Sequence, residues 1–313
     1  MEDYRKLVKP KFEQRFKTIL EDRYEDFITY SIKRPTRSLR VNTLKISIPE
    51  LIKKMKNWEL TQVPWCKEGF WIKHRTEDRI DIGNTIEHSL GYFYVQGAAS
   101  MIPPLVLEPK PGEKVLDLCA APGSKTSQMA AFMENQGVLV ANDYRGIRLA
   151  PLGINLQRMG ITNVVTTLMD GAYFKGFEFD KVLVDAPCSG TGTIRKSIRT
   201  LTEWSPGFIR HMAKQQKKIL SAGFKNLKKG GTLVYSTCSI EPEEDEGVIS
   251  WFLENHEDAK LLPIDIPKLK TSPPILEFEK QTYNPEVKKC LRIWPQDNDT
   301  EGFFVAKISK KSE

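Results

Sequence analysis

Cysteine is scarce in this chain. Its five copies (Cys66, Cys119, Cys188, Cys238 and Cys290) are odd in number, scattered, and without a C-x-x-C pair. That spacing argues against a disulfide framework and a zinc site, so reduced thiols and no metal are expected. Histidine is scarcer still, and His74, His88, His211 and His256 lie outside every motif described below. A cysteine hydrolase, which needs a histidine base, is therefore disfavoured. No apolar run is long enough to span a bilayer. The opening MEDYRKLVKPKFEQRF is charged throughout and lacks the apolar core of a signal peptide. These absences point to a cytoplasmic protein without membrane contact. Both common nucleotide-loop patterns are missing too. There is no G-x-G-x-x-G, and Cys119 and Ser124 stand where the two glycines of G-x-x-x-x-G-K-[ST] would precede Lys125-Thr126.

The 313 residues suit one large or two modest domains, and a hydrophobic content of 40% is enough for an ordinary core. Lys and Arg number 47 against 40 Asp and Glu, giving +7, a balance that suits a polyanion partner. Residues 1–35 carry helical spacing in Phe12, Phe16, Ile19, Leu20, Tyr24 and Phe27. Arg37 to Thr43 alternates like a strand; a helix bearing Leu51, Ile52 and Met55 follows, then strand-like pieces at 59–63 and 69–72. This reads as a small α/β domain over 1–90.

From 91 to 313 strands and helices alternate, which argues a parallel doubly wound sheet. Strands are expected near 114–118, 138–142, 164–168, 180–184 and 231–236, and helices near 125–134, 146–159, 206–227 and 242–255. Gly230-Gly231 is read as a tight turn into the fifth strand after Lys228-Lys229 ends a helix. Residues 257–300, rich in proline and charge, are expected to wrap the surface, and 302–307 to close the sheet as an edge strand.

Three of these strands end in chemistry-bearing turns. Lys114-Val115-Leu116 runs into DLCAAPGSKT (117–126), Lys181-Val182-Leu183-Val184 into DAPCSGTG (185–192), and Thr232-Leu233-Val234-Tyr235 into STCSIEPEE (236–244). In open α/β sheets the carboxyl edge is where ligands bind. Small residues at Ala120-Ala121-Pro122-Gly123 admit a ligand to the backbone, and the following helix start offers free N–H groups. Asp143, closing the second strand, is placed to accept ribose hydroxyls, and Asp170, after the third, to accept an adenine amino group. The DAPC turn differs from the Asn/Asp-Pro-Pro-aromatic turn of amino-methyltransferases, since Cys188 follows Pro187.

Together, DLCAAPGSKT, DAPCSGTG and STCSIEPEE resemble the RNA cytosine-5 methyltransferases of the NOL1/NOP2/Sun family, as do RSLRVNTLK (37–45), YFYVQGAAS (92–100) and EGFFVAK (301–307). The resemblance spans nearly the whole chain and implies a Rossmann-like, S-adenosylmethionine-dependent methyltransferase sheet with a smaller N-terminal α/β domain that binds RNA. It implies a cofactor site at Cys119, Ala120, Ala121, Pro122, Gly123, Ser124, Lys125, Asp143, Arg148, Asp170 and Asp185. Ser124 stands where many members have glycine.

Cytosine C5 becomes nucleophilic once a thiolate adds to C6. Two thiols are available, and sequence order does not choose between them. DNA cytosine methyltransferases use the cysteine of a Pro-Cys turn, which would select Cys188. Resemblance to the RNA enzymes, which use the Thr-Cys cysteine, selects Cys238 and leaves Cys188 to assist release. Asp185 then faces cytosine N3 and its amine, with Lys125 in support. Candidate RNA contacts are Arg34, Arg37, Arg40, Arg195, Lys196, Arg199 and Arg210, with Gln96 near the site by resemblance. Base flipping is expected. The compact chain favours tRNA over ribosomal RNA as substrate, acted on by a monomer. A non-catalytic RNA-binding or assembly factor is the contrasting reading, disfavoured because Asp185 and both motif cysteines are present. Cys66 and Cys290 read as small buried hydrophobes, and at Cys119 the main chain rather than the sulfur is expected to matter.

Overall fold

The computed structural model describes residues 6–76 and 81–312; residues 1–5 of the charged opening segment lie outside the described residues. Two helices come first, α1 (Pro10–Leu20) and α2 (Tyr24–Ile32). α1 begins with proline at its first position, where no N–H is needed, and its Phe12, Phe16 and Leu20 fall on one face. Those side chains and Phe27 pack against Ile194, Leu201, Trp204, Ile209, Ile240 and Trp294 from the second half of the chain. Each fully buried phenylalanine contributes about 1.5–3 kcal/mol, so the N-terminal helices are fastened to the region that carries the cysteine turns.

A four-stranded antiparallel sheet follows, in the order β2 (Trp58–Gln62), β3 (Gly69–His74), β1 (Ser38–Val41), β4 (Phe93–Val95). Its core includes Leu39, Val41, Phe70, Ile72 and Phe93, closed by Leu51 of α3 (Ile48–Lys54). β1 is buried along its whole length. The alternation that would expose Arg40 therefore fails: its guanidinium is buried and donates to Gln96 Oε1 (2.7 Å) and Ser127 Oγ (2.7 Å). Arg40 is not an RNA contact. Gln96, itself buried, passes the connection to Gln128 Oε1 (3.0 Å), and this tie joins the small sheet to the helix over Ser124–Phe132.

After α4 (Ile102–Leu107) the main sheet is built from β5 (Lys114–Asp117), β6 (Val138–Asp143), β7 (Val164–Leu168), β8 (Phe179–Asp185) and β9 (Leu227–Thr237), all parallel, as the alternation predicts. α5 (Ser124–Phe132) and α6 (Gly146–Met159) cover one face, while α7 (Pro206–Lys225) and α8 (Glu246–Asn255) cover the other. Val115 and Leu183 point to the first face; Leu116, Val182 and Val184 point to the second. Strands buried on both faces read as continuous apolar runs.

Four expectations need correction. The closing strand β14 (Phe303–Lys310) is not an edge: it lies antiparallel between β9 and β10 (Ala259–Leu262), and β13 (Leu291–Ile293) also pairs with it. The segment expected only to wrap the surface supplies those strands, along with a small hairpin of β11 (Glu277–Phe278) and β12 (Gln281–Thr282). Phe303-Phe304-Val305-Ala306, buried throughout, has the apolar continuity of an interior strand. Gly230-Gly231 does not precede β9 but lies inside it, where pairing with β8 jumps from Phe179–Leu227 to Lys181–Thr232. The helix expected from 242 starts at Glu246, because the acids before it turn inward to partners described below. Among the described residues no helix is long and apolar enough to cross a membrane.

Candidate active site

The carboxyl ends of β5, β6, β8 and β9 converge on a cleft of about 350 Å³. Cys119, Ala121, Asp143, Arg148, Asp170, Asp185, Cys188 and Cys238 line it, with apolar Leu118 and Ile219. Ala120, Pro122, Gly123, Ser124 and Lys125, expected at the cofactor site, are not among its lining residues. Gly123, at φ +102°, turns the chain from the loop into α5, a backbone that few side-chain-bearing residues adopt.

Asp143 is buried and accepts from the Ala121 N–H (3.2 Å) and the Arg145 N–H (3.1 Å), with Arg148 Nη1 at 3.4 Å. Arg148 also donates to the Ala121 carbonyl at 2.5 Å. A carboxylate offers about four acceptor sites, so Asp143 braces the loop and keeps capacity for hydroxyl donors. Asp170 accepts from the Ala172 N–H (2.9 Å), and its second oxygen has no side-chain or backbone donor among the described residues. Asp117 is directed elsewhere: it takes the Thr126 hydroxyl (2.7 Å), and burial raises its pKa to about 7. These donor and acceptor groups, with the apolar walls, fit a nucleoside-bearing cofactor.

On the β8–β9 side, Cys188 and Cys238 place their sulfurs 3.2 Å apart. The pairing of Asp185 with Ser236 puts both turns at the same level of the sheet. Gly192 lets them meet: its N–H donates to the Cys238 carbonyl (2.9 Å), and a Cβ there would collide with the Gly302 carbonyl. Lys125 Nζ donates to Asp185 Oδ2 (2.7 Å) and Ser100 Oγ (3.0 Å), while Ser236 Oγ donates to Asp185 Oδ1 (2.8 Å). Asp185 is thus held by both oxygens, its face still lining the cleft.

The two thiols are not equivalent. The hydrogen bond from Cys188 lowers the Cys238 pKa; burial and Asp185 oppose this, and Lys125 and Lys196 assist it. The same bond, with burial and Glu244, pushes Cys188 well up. Cys238 is therefore the thiol favoured as thiolate, and Cys188 its donor. Cys119 also lines the cleft, but burial and then Asp117, Asp185 and Asp143 raise it well above an ordinary thiol. Cys66, pushed up to about 12 by burial, and Cys290, likewise raised, are buried away from the cleft.

The acids of the third motif explain the delayed start of α8. Glu244 accepts from the Ser189 N–H, Ser239 and Gln216. Asp245 takes the Thr237 hydroxyl (2.6 Å), and buried Arg292 bridges Asp245 (2.9 Å) and Glu246 (2.6 Å). Glu241 receives Trp204 Nε1 (2.8 Å) and pairs with Arg15 of α1 at 2.8 Å. Ser100, Ser236, Gln216 and Glu244 were not singled out by the sequence. Ser100, Ser236 and Glu244 lie within recognised motifs without a hint of role; Gln216, in mid-helix, left no signal.

Of the RNA-contact candidates, Arg195 is a second correction. It is buried and donates to the Thr300 carbonyl (3.0 Å) and Asp299 (2.8 Å), tying the loop after Cys188 to the segment before β14. Lys196 pairs with Glu301 at 2.5 Å and acts electrostatically on Cys238, while exposed Arg199 pairs with Glu203 at 2.6 Å. Arg34 and Arg210 are exposed and Arg37 half-buried. Among the described residues no cluster of three His, Cys, Asp or Glu could hold a metal.

A mostly parallel sheet with this cleft defines a Rossmann-like methyltransferase. Residues 104–309 match the family model of 16S rRNA methyltransferase RsmB/F, and residues 8–98 match the N-terminal domain of RsmF. The chain is 46% identical over 313 residues to a tRNA (cytosine(49)-C(5))-methyltransferase of Pyrococcus abyssi, covering 99% of this chain and 98% of that protein. It is 45% identical over 293 residues to ribosomal RNA small subunit methyltransferase F of Vibrio cholerae, covering 91% of this chain but only 60% of that relative. A solved methyltransferase homologue from Pyrococcus horikoshii superimposes with a TM-score of 0.87 at 38% identity, covering 99% of this chain and 98% of that one. The chain belongs to the RsmB/F (NOL1/NOP2/Sun) family of RNA cytosine-5 methyltransferases.

Proposed function

We propose that this enzyme methylates C5 of cytidine in tRNA, with S-adenosylmethionine as methyl donor and Cys238 as the covalent nucleophile. The observation that carries this reading is the pair of unlike thiols, 3.2 Å apart, beside the Lys125–Asp185 pair. When bound, the cofactor supplies an electrophilic methyl group. Asp143, Asp170 and the Cys119–Ala121 backbone would hold its nucleoside end, with Arg148 bracing the loop.

The Cys238 thiolate adds to C6 of a flipped cytosine, and electron density moves to C5. Asp185, oriented by Lys125 and Ser236, accepts from the exocyclic amine, and a proton passed to N3 from the Lys125–Asp185 pair neutralises the negative charge that thiolate addition puts on the ring. After methylation, a base takes the C5 proton, the C–H electron pair re-forms the C5–C6 double bond, and the C6–sulfur bond breaks to release Cys238 as thiolate. Cys188, its hydrogen-bond donor, assists that departure. Removing Asp143 tests the cofactor assignment: Asp143→Ala is expected to weaken S-adenosylmethionine at least about tenfold by calorimetry, as loss of a charged hydrogen-bonding group does. Unchanged affinity would refute it.

The choice of tRNA is supported by the tRNA methyltransferase matched over 98% of its own length. The outer face of α7 offers a phosphate track. The helix contains no acid, and its exposed Arg210, Lys214, Lys218 and Lys225 make no ion pair among the described residues. Gln215 and Lys218 of this helix border the cleft. Replacing Arg210, Lys214 and Lys225 with alanine is expected to weaken tRNA binding and lower the salt slope of log K by about 2. An unaltered slope would remove this face from the RNA path.

A further inference from the structure

Glu244 and Gln216 are both buried, and neither lines the cleft. Yet Glu244 touches the residue that follows each cysteine: its Oε2 accepts from the Ser189 N–H at 3.0 Å, and its Oε1 from Ser239 Oγ at 2.9 Å. Gln216, on α7, donates through one nitrogen to Glu244 Oε2 (2.7 Å) and to the Pro187 carbonyl (3.0 Å). Cys188 is therefore gripped from both sides, through Pro187 and Ser189, and Cys238 through Ser239. Tyr235 adds a hydrogen bond to the Glu244 carbonyl (2.7 Å), fixing the acid's own backbone.

We propose that Glu244 and Gln216 are positioning residues for the reaction, a buried clamp that locks the two cysteine turns so that one thiol stays against the other. The proposal rests on the reading of Cys238 as nucleophile.

Two observations favour this over plain structural filling. The Gln216 amide is oriented by two acceptors, and its Oε1 is left buried without a partner among the described residues. An unsatisfied buried oxygen is a cost that an apolar side chain of similar size would avoid. The clamp's charge is also one-sided. Glu244 acts on Cys188, whereas Asp185, Lys125 and Lys196 act on Cys238. The Cys238 hydrogen bond and burial chiefly keep Cys188 protonated, the Glu244 charge adds to them, and a protonated Cys188 can donate to the Cys238 sulfur as it attacks and as it leaves.

The test uses the full chain carrying Gln216→Leu, Glu244→Gln or Glu244→Ala. Melting temperature and S-adenosylmethionine affinity check the fold. Iodoacetamide labelling of Cys188 and Cys238, resolved by peptide mass between about pH 6 and 9, reads each thiol separately. In the parent protein Cys238 is expected to label first. Gln216→Leu should retain cofactor affinity yet reduce that preference at least about threefold and single-turnover methylation about tenfold, with little change in KM for RNA. Glu244→Gln keeps hydrogen-bonding capacity without the charge. It should restore the turn geometry that Glu244→Ala loses, shown by methylation above that of Glu244→Ala, yet still label Cys188 at lower pH than the parent. Should Glu244→Ala fail to fold, Gln216→Leu and Glu244→Gln carry the test. Parental labelling and parental methylation in folded Gln216→Leu and Glu244→Gln would overturn the clamp. Failure of the underlying reading looks different: the parent protein itself would form no 5-methylcytidine, or Cys238→Ala would stay active.

Discussion

Cys238→Ala abolishes methyl transfer, lowering the single-turnover rate by more than about a thousandfold, because loss of a nucleophile removes the covalent route altogether. Cofactor affinity is expected to change little, since the residues proposed for the nucleoside end, Asp143, Asp170 and the loop after β5, are distinct from the cysteine pair. The same thiol sets the pH dependence. A free thiol titrates near about 8.5, but the Cys188 hydrogen bond, with Lys125 and Lys196, holds Cys238 lower. The thiolate is the active form, so the rate is lost as pH falls through that lowered value, and activity persists to lower pH than an ordinary thiol would permit. Rapid-quench assays with labelled S-adenosylmethionine across pH measure both effects. Full activity in Cys238→Ala would overturn the nucleophile assignment and move attention to Cys188.

Cys188→Ala has the opposite signature. Addition to C6 and methylation proceed, while release of Cys238 slows, so an RNA–protein adduct accumulates and survives denaturing electrophoresis. The reason lies in the 3.2 Å contact between the sulfurs. A sulfur leaving a carbon accumulates negative charge, and a neighbouring S–H donor stabilises that charge. At a pH high enough to ionise Cys238 its removal slows elimination more than addition, because departure must then develop that charge unaided; without the bond Cys238 also ionises less readily, so addition shifts to higher pH. Steady-state turnover should fall by about a hundredfold or more, within the range for loss of a general acid. Parental turnover with no adduct would remove Cys188 from the release step.

The sheet was legible in the sequence because strands buried on both faces leave unbroken apolar runs, as in Val182-Leu183-Val184 and Leu233-Val234-Tyr235. The same continuity in Phe303-Phe304-Val305-Ala306 was misread as an edge, because its outer partner β10 is short and follows a segment rich in charge. Asp185, Cys188 and Cys238 were legible because each closes or follows such a run. Arg40 and Arg195 were misassigned for a shared reason. Charge predicts exposure only where no buried acceptors await, and Gln96, Ser127, Thr300 and Asp299 supply those acceptors from distant parts of the chain. Gln216 and Glu244 were silent for the converse reason: their partners are assembled by folding, and no local spacing announces them.

The most direct test is transfer of label from S-adenosylmethionine into an unmodified tRNA transcript, with the labelled nucleoside identified by chromatography and mass. A Cys238-dependent cytosine-5 methyltransferase yields 5-methylcytidine as the labelled nucleoside, formed by the parent protein and not by Cys238→Ala. Label in any other nucleoside, or 5-methylcytidine formed equally well without Cys238, would contradict that assignment.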